Sequence, residues 1–373
     1  MRATLAVLLL AAPALPALGG CNPPTPRDPS VVALEERLGA AGFAFEDPMA
    51  LDAATREQVR RAVGTSGAPV ARLKRLDGWL RNGRGAFAYD PDPYQNAQRA
   101  YDERRGDCLA YALLFGSLAR VLEVPTRFLH ATEVLARGER DGWFYASSHV
   151  AVGLGTGPRM AVFDFTSGRI TSSELTPFEL VGDATVLALR YSNIAVDWMA
   201  HGRLAEAERL LGVLAELAPG VPEPLNNLGV ARTRAGRPAE ALALLELGLA
   251  RFPSYPPLYT NAIRAAGAAG APEVAHAIEL AGSDVAERDP SFLFARGLRL
   301  YRSQSYGAAA VDFERATAVS PKSPDLHAWR ARAYLSAGDL DLGRDAFETT
   351  RRLAGAAALV RELERQFPVL GAP

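Results

Sequence analysis

The sequence predicts an α+β domain followed by an all-α solenoid of helical hairpins. Three observations carry that prediction. A period runs through the second half, where Gly202 and Gly236, Ala207 and Ala241, Pro219 and Pro253, and Ala195 and Gly229 are each 34 residues apart. In the first half, helical patterns from about 31 to 42 and from 69 to 82 precede short alternating runs, an order of helices first and strands later. Those runs, PTRFLHATEVL, SSHVAVGLG and RMAVFDFTSG, are rich in β-branched and aromatic residues and separated by Gly and charge clusters, which is a strand pattern.

Taken in chain order, the first residues, MRATLAVLLLAAPALPALGGC, join a basic Arg2 to an apolar stretch broken by Pro13 and Pro16. That is a cleaved export signal, too short for a mature transmembrane helix. Its ending, Leu18-Gly19-Gly20-Cys21, resembles the lipobox of bacterial lipoproteins, in which the cysteine becomes the acylated first residue. An ordinary signal peptide cut near Gly20 is the alternative. If Cys21 is lipidated, several acyl chains give stable membrane attachment. Asn22 after the cysteine leans, by the bacterial sorting rule, toward the periplasmic face of an outer membrane. The following NPPTPRDPS is a Pro-rich tether. The expected organisation is a signal over 1–20, a tether over 21–30, an α+β domain over 31–190 and a repeat domain over 191–373.

Within the first domain, Val70, Leu73, Leu76 and Leu80 recur at roughly helical spacing. YDPDPYQNAQRAYDERRGD begins as turns and ends as helix, and CLAYALLFGSLARVL is a strong helix former that opens on Cys108. TVLALRYS, near 185–192, reads as strand, with the domain junction between about 185 and 195. Beyond it, the period extends to Gly270 and Ala275 in a degenerate third unit. Gly297, Ala309, Phe313 and Ala316 mark a fourth, Gly338 and Phe347 a fifth, and 357–367 reads as a capping helix. Small residues where two helices approach and Pro closing the second helix, at this period, resemble the tetratricopeptide repeat. That resemblance implies a concave surface holding a protein or peptide partner. His201, His276 and His327 fall at unrelated repeat positions and read as surface or packing residues.

With 41 basic and 42 acidic residues, a net charge of −1 and no basic stripe, the chain lacks the electrostatic footprint of a nucleic-acid binder. It has two cysteines, and lipidation of Cys21 leaves Cys108 as a lone thiol in a disulfide-permissive compartment. A buried inert Cys is the bland reading. Against it, the first turn of a helix offers unpaired N–H groups and a dipole that favour the thiolate. A thiolate nucleophile also needs a base and a group to orient that base. His149 lies on a predicted strand, and fifteen residues later Asp164 lies on the next, a spacing that fits two strands joined by a hairpin around GTGPR. Asp164 among Val162, Phe163 and Phe165 is a carboxylate in an apolar run, costly unless paired. His130 is the rival base, weakened because no carboxylate follows it on a plausible neighbouring strand; Glu133 is too near in sequence. Cys108, His149 and Asp164 lack the spacing of a zinc site, so no metal and no cofactor are expected.

AYDERRGDCLAYALLFGSLARVLEVPTRFL, then HVAVGL, then FDFTSG resembles the core of the bacterial transglutaminase-like superfamily, a papain-like fold. The match covers about residues 85–170, with Glu123-Val124 in place of the family's usual glycine turn. The resemblance implies Cys108 as nucleophile, His149 as general base and acid, and Asp164 as orienter of the imidazole. An oxyanion donor would be the Cys108 backbone N–H, with Gln95 or Gln98 as a second, although both glutamines read more naturally as solvated helix residues. The expected function is an envelope-anchored, thiol-dependent acyl transferase or protease/amidase whose repeats recruit a protein or peptide substrate. The alternative is a non-catalytic scaffold or peptide-binding lipoprotein.

Overall fold

The computed structural model describes residues 28–82, 87–90, 92–131, 136–140, 143–147, 149–156, 160–163, 170–172, 178–286, 289–353 and 356–370. Cys21 and Asp164 lie outside them. Helix α1 (Pro29–Ala40) starts where the Asp28 carboxylate accepts from Ser30 N at 2.8 Å, and it buries Val31, Leu34 and Leu38 on one stripe. Helix α2 (Ala53–Val63) was not foreseen. It is capped by Asp52, which accepts from Thr55 N at 2.6 Å, and stopped by Gly64 at φ 75°. Helix α3 (Pro69–Asn82) has the expected bounds. Strand β1 (Ala88–Tyr89) pairs in parallel with β2 (Arg105–Gly106), on either side of α4 (Ala97–Glu103).

Helix α5 (Cys108–Val121) is buried on nearly every side, as its unbroken apolar sequence requires. Just beyond it, Glu123 occupies a left-handed backbone position, φ 57°, at the point where the resembled family has its glycine. The strands follow as β3 (Arg127–Ala131), β4 (Ala136–Arg140), β5 (Trp143–Ser147), β6 (Val150–Leu154), β7 (Ala161–Phe163), β8 (Ile170–Ser172) and β9 (Phe178–Val181). Five of them form an antiparallel sheet in the order β8-β7-β6-β3-β9, and β4 and β5 form a separate hairpin.

Alternation divides the sheet's two faces. Phe128, Val150, Val152 and Phe163 point into the main core, whereas Leu129, Ala151, Met160 and Val162 form a smaller cluster joined by Phe178. Helix α5 covers the first face. Phe115 stacks on Phe163 with ring centroids 5.0 Å apart, and a Cβ on Gly116 would lie 2.9 Å from the Phe128 ring, so only glycine lets helix and strand approach this closely.

The second half is a stack of helical hairpins: α6 (Asp183–Ala200) with α7 (Leu204–Leu217), α8 (Glu223–Arg234) with α9 (Pro238–Arg251), α10 (Pro256–Ala268) with α11 (Pro272–Ala286), α12 (Pro290–Arg302) with α13 (Tyr306–Val319), and α14 (Pro324–Ala337) with α15 (Leu340–Arg352). Helix α16 (Ala357–Gln366) follows them and buries its Leu363 against Ala328, Ala331, Ala346 and Phe347. Four hairpins turn on a glycine at positive φ, Gly202, Gly236, Gly270 and Gly338. In the fourth hairpin the position at the same 34-residue step is Gln304, held at φ 63°. The small positions are close approaches: a Cβ on Gly229 would stand 2.6 Å from Leu245, and one on Gly297 2.7 Å from Phe313.

One expectation is corrected. Residues 185–192, read as strand, lie inside α6. In that helix Val186, Leu187, Ala188, Leu189, Arg190, Tyr191 and Ser192 are all buried, and a helix covered on every side loses the 3.6-residue periodicity that would mark it. The covering is mutual, because one continuous core runs from Val31 through α5 and the sheet to α6, α7 and Ala231 of α8.

Candidate functional site

The site is built on the first turn of α5. Asp107 is its N-cap: an extended backbone aims the carboxylate back at Ala110 N, 2.7 Å away. Cys108 is therefore the first helical residue, where backbone N–H groups have no partner within the helix. It is 9% exposed and forms no disulfide. Desolvation pushes the Asp107 carboxyl up, against the pull of the Ala110 and Leu109 N–H groups and the Arg190 charge.

Arg190 was not anticipated, because it sits in a segment read as strand. It is buried, and its guanidinium donates to the carbonyls of Gln95 (3.1 Å) and Tyr94 (3.2 Å). Burial lowers its proton affinity, and Asp107 is among the anions that oppose the loss. A helix of the first repeat thus braces the chain in front of the Cys108 helix. Around it, Tyr94 OH donates to Asp197 at 2.9 Å, Trp198 Nε1 donates to Tyr94 OH at 3.1 Å, and Tyr191 OH donates to the Glu46 carbonyl at 3.2 Å.

The two oxyanion candidates differ. Gln95, read as solvated, is 1% exposed; its Nε2 donates to Glu103 at 3.0 Å. Gln98 ties α4 to α2: its Nε2 donates to Thr55 Oγ1 and Asp102, each at 3.0 Å, and its Oε1 accepts from Asp52 N at 2.9 Å.

The direction of α5 places its start relative to the histidines. In the last turn, Arg120 lies over the Phe128 ring and pairs with Asp183 at 2.7 Å, just beyond Val181, the register partner of Phe128. The C-terminus of α5 therefore points to the Arg127 end of β3, and its N-terminus to the His130 end. From Gly116, above Phe128, back to Cys108 is eight residues of helix, about 12 Å. From Val152, the partner of Phe128, back to His149 is three residues of strand, about 10 Å. Cys108 and His149 thus lie toward the same end of the layered pair α5 and β6.

His149 stands immediately before β6. Its carbonyl accepts from Ala131 N at 2.8 Å, and its buried ring lies 6.5 Å from the Phe178 ring, on the side of the smaller cluster. His130 alternates with Leu129 and so shares the Phe128 face. Its Nε2 meets Glu223 Oε1 at 2.8 Å, with both residues buried. The carboxylate that the sequence failed to supply for His130 comes from α8, in the second hairpin. Asp164 follows the last residue of β7 and lies outside the described residues. Of the three repeat histidines, His201 and His276 are exposed; His327 is buried and its Nε2 lies 3.1 Å from the Pro321 carbonyl.

Comparison with known proteins agrees with this architecture. Residues 56–154 match the transglutaminase-like superfamily model, and residues 194–256 and 294–357 match the tetratricopeptide repeat model. The chain carries a transglutaminase-like domain followed by tetratricopeptide repeats. The first match spans Cys108 and His149 and ends before Asp164. Repeats of this type generally bind protein or peptide partners. No curated protein matches the chain. Among solved structures, it is similar to TTC0263, a thermophilic repeat protein of Thermus thermophilus, at 22% identity over 49% of this chain and 98% of that chain, with a TM-score of 0.42. It is similar to a MamA fragment from Desulfovibrio magneticus RS-1 at 20% identity over 50% and 98%, with a TM-score of 0.36. YrrB, described as a repeat protein with an unusual peptide-binding site, shows 16% identity over 48% and 92%, with a TM-score of 0.35.

Proposed function

We propose that the protein is a bacterial envelope lipoprotein, anchored through acylated Cys21 at the periplasmic face of an outer membrane, whose transglutaminase-like domain performs thiol-dependent acyl transfer on a protein or peptide recruited by the repeats. The observation that carries the reading is the position of Cys108 as the first residue of α5, above an Asp107 cap and at the His149 end of the sheet. Cys108 Sγ attacks a carboxamide or peptide carbonyl, forming a C–S bond as the C–N bond breaks. The leaving amine takes its proton from His149, whose imidazole Asp164 orients. Water or a second amine then resolves the thioester, giving hydrolysis or crosslinking. The Cys108 backbone N–H serves the oxyanion. Gln95 is the side-chain candidate for a second donor, since it is held beside Asp107 through Arg190 and spends one Nε2 contact on Glu103; the Gln98 amide is already committed to α2 and α4.

A non-catalytic peptide-binding scaffold is the second reading, and the burial of Cys108 favours it. Alkylation of native protein by iodoacetamide between pH 5 and 9 separates the two. The enzyme reading expects fast modification of Cys108 near neutral pH, slowed at least tenfold by His149→Ala and less by Asp164→Ala. Slow alkylation at every pH, unaffected by His149→Ala but accelerated by denaturant, overturns it in favour of the scaffold.

A further inference from the structure

The pair His130–Glu223 is a buried polar contact that joins the sheet of the transglutaminase-like domain to the repeat array beyond its first hairpin. Its members are 93 residues apart in sequence and 2.8 Å apart in space. Burying an ion pair is costly, and such pairs stabilise less than an apolar contact of similar volume. What a pair in this place does is fix a charge, and the charge it fixes stands beside His149. His130 pairs with Val150, the residue after His149, and the Ala131 N–H bonds the His149 carbonyl. The two imidazoles thus stand one register step apart on neighbouring strands, on opposite faces of the sheet but within electrostatic reach of each other.

We propose that Glu223, a residue of the repeat array, is a positioning residue of the candidate site, acting through His130 to hold a positive charge beside His149. The inference rests on the reading of His149 as base and acid given above.

The groups that bear on His130 come from three elements: Glu223 from α8, Glu179 from β9 as its register partner, and His149 from the start of β6. Burial alone pulls the proton off His130. The hydrogen bond and charge of Glu223, aided by Glu179, overcome burial and raise its proton affinity above the ordinary value, with His149 opposing. A cation held there disfavours a second proton on His149. It therefore keeps that imidazole in the neutral form a general base needs, and makes its protonated form a stronger acid toward a leaving amine. Behind Glu223 the array continues the acidic field: Tyr255, at the cap of α10, is buried near both Glu223 and Asp289, and its hydroxyl is pushed well up by burial and those two carboxylates. Glu223 belongs to α8, so the charge state of the base depends on the array being docked in place.

The test follows the imidazole signals of the full chain, labelled with 13C-histidine, as the pH is changed; each signal is assigned by replacing one of the five histidines. In Glu223→Gln, His130 loses its anion and burial deprotonates it near neutral pH. The His149 midpoint should then rise, by up to about one pH unit. Glu223→Asp keeps the charge and should leave the midpoint near wild type. His130→Gln should give the same rise as Glu223→Gln, and the double variant no more than either, because the effect passes through one imidazole. A His149 midpoint unchanged in Glu223→Gln, or additive shifts in the double variant, overturns the proposal. If Glu223→Gln fails to fold, as judged by circular dichroism, His130→Gln decides alone: an unchanged His149 midpoint refutes. Indifference of Cys108 alkylation to His149→Ala refutes the enzyme reading instead and leaves this titration result standing.

Discussion

Gln304 occupies a place that four other repeats give to glycine. The positions 202, 236, 270, 304 and 338 form one series at a 34-residue step, with φ values of 78°, 77°, 72°, 63° and 86°. At such angles a Cβ crowds the following carbonyl, which costs an L-residue about 1–2 kcal/mol. Glycine avoids that cost but gives up roughly 0.5–1 kcal/mol more backbone entropy on folding. Gln304→Gly should therefore stabilise the fourth hairpin by about 0.5–1 kcal/mol. The side chain is exposed, and the backbone bonds Gln304 N to Tyr301 O (3.0 Å) and Ser305 N to Leu300 O (2.9 Å) survive the change. Because a solenoid opens locally, the sharpest assay is amide hydrogen exchange in α12 and α13. Exchange there should slow by about two- to fivefold, a factor that follows from the same free energy at RT of about 0.59 kcal/mol. The reverse change, Gly338→Gln, should speed exchange in α14 and α15 by a similar factor. If Gln304→Gly leaves exchange unchanged or faster while Gly338→Gln has no effect, backbone strain is not what separates these turns and the reasoning fails.

Gly297→Val places a Cβ 2.7 Å from Phe313 and two methyls beyond it, an overpacking expected to cost about 1–3 kcal/mol; a denaturation midpoint equal to wild type would contradict the close approach. His130 has a folded-state proton affinity raised above its unfolded value near 6.5, so its stabilisation is fully present below about pH 6.5 and is lost as pH rises through the folded midpoint. The stability gap between wild type and His130→Gln should accordingly shrink from pH 6 to pH 9, and a gap that widens would refute the pairing with Glu223. Cys21→Ser should move the expressed protein from the detergent phase to the aqueous phase, and a mature N-terminus other than an acylated Cys21 would refute the anchor.

Much of the fold was legible because its signals are local. Helices α3 and α5 fall where their apolar sequences put them, and β3, β6 and β7 fall within the alternating runs. The repeat step fixed the hairpins and the glycine turns, and the capping helix begins at the expected Ala357. Helix α2 escaped notice because AATREQVRRAV is largely polar and buries only Thr55, Val59 and Val63. Helix α6 escaped for the opposite reason: most of its first ten residues are covered, leaving no polar face to set the period. In the site, Cys108 and its Asp107 cap could be read from the chain, as a helix start is a matter of a few adjacent residues. Arg190 and Glu223 could not, since each matters only through a partner about 95 residues away.

The misses at α6, Arg190 and Glu223 share one physical origin. The first hairpin does not merely follow the transglutaminase-like domain; it completes that domain's core. Val186, Leu187 and Leu189 pack in the same cluster as Leu113, Leu114 and Phe128, and α1 is joined to α7 by the ion pair Arg37–Glu216. A chain ending at 190 would lose the partner of His130 and expose the surface that α7 and α8 cover. The buried His130 would keep Glu179 but not Glu223, and the core that Ile194, Leu210 and Leu214 cover would open to water. Burial of each such Leu or Ile side chain is worth about 1.5–3 kcal/mol, so the loss of these three residues together, roughly 5–9 kcal/mol, is comparable with the whole stability of an ordinary domain. The transglutaminase-like domain and the first hairpin therefore share one core and depend on each other for its burial.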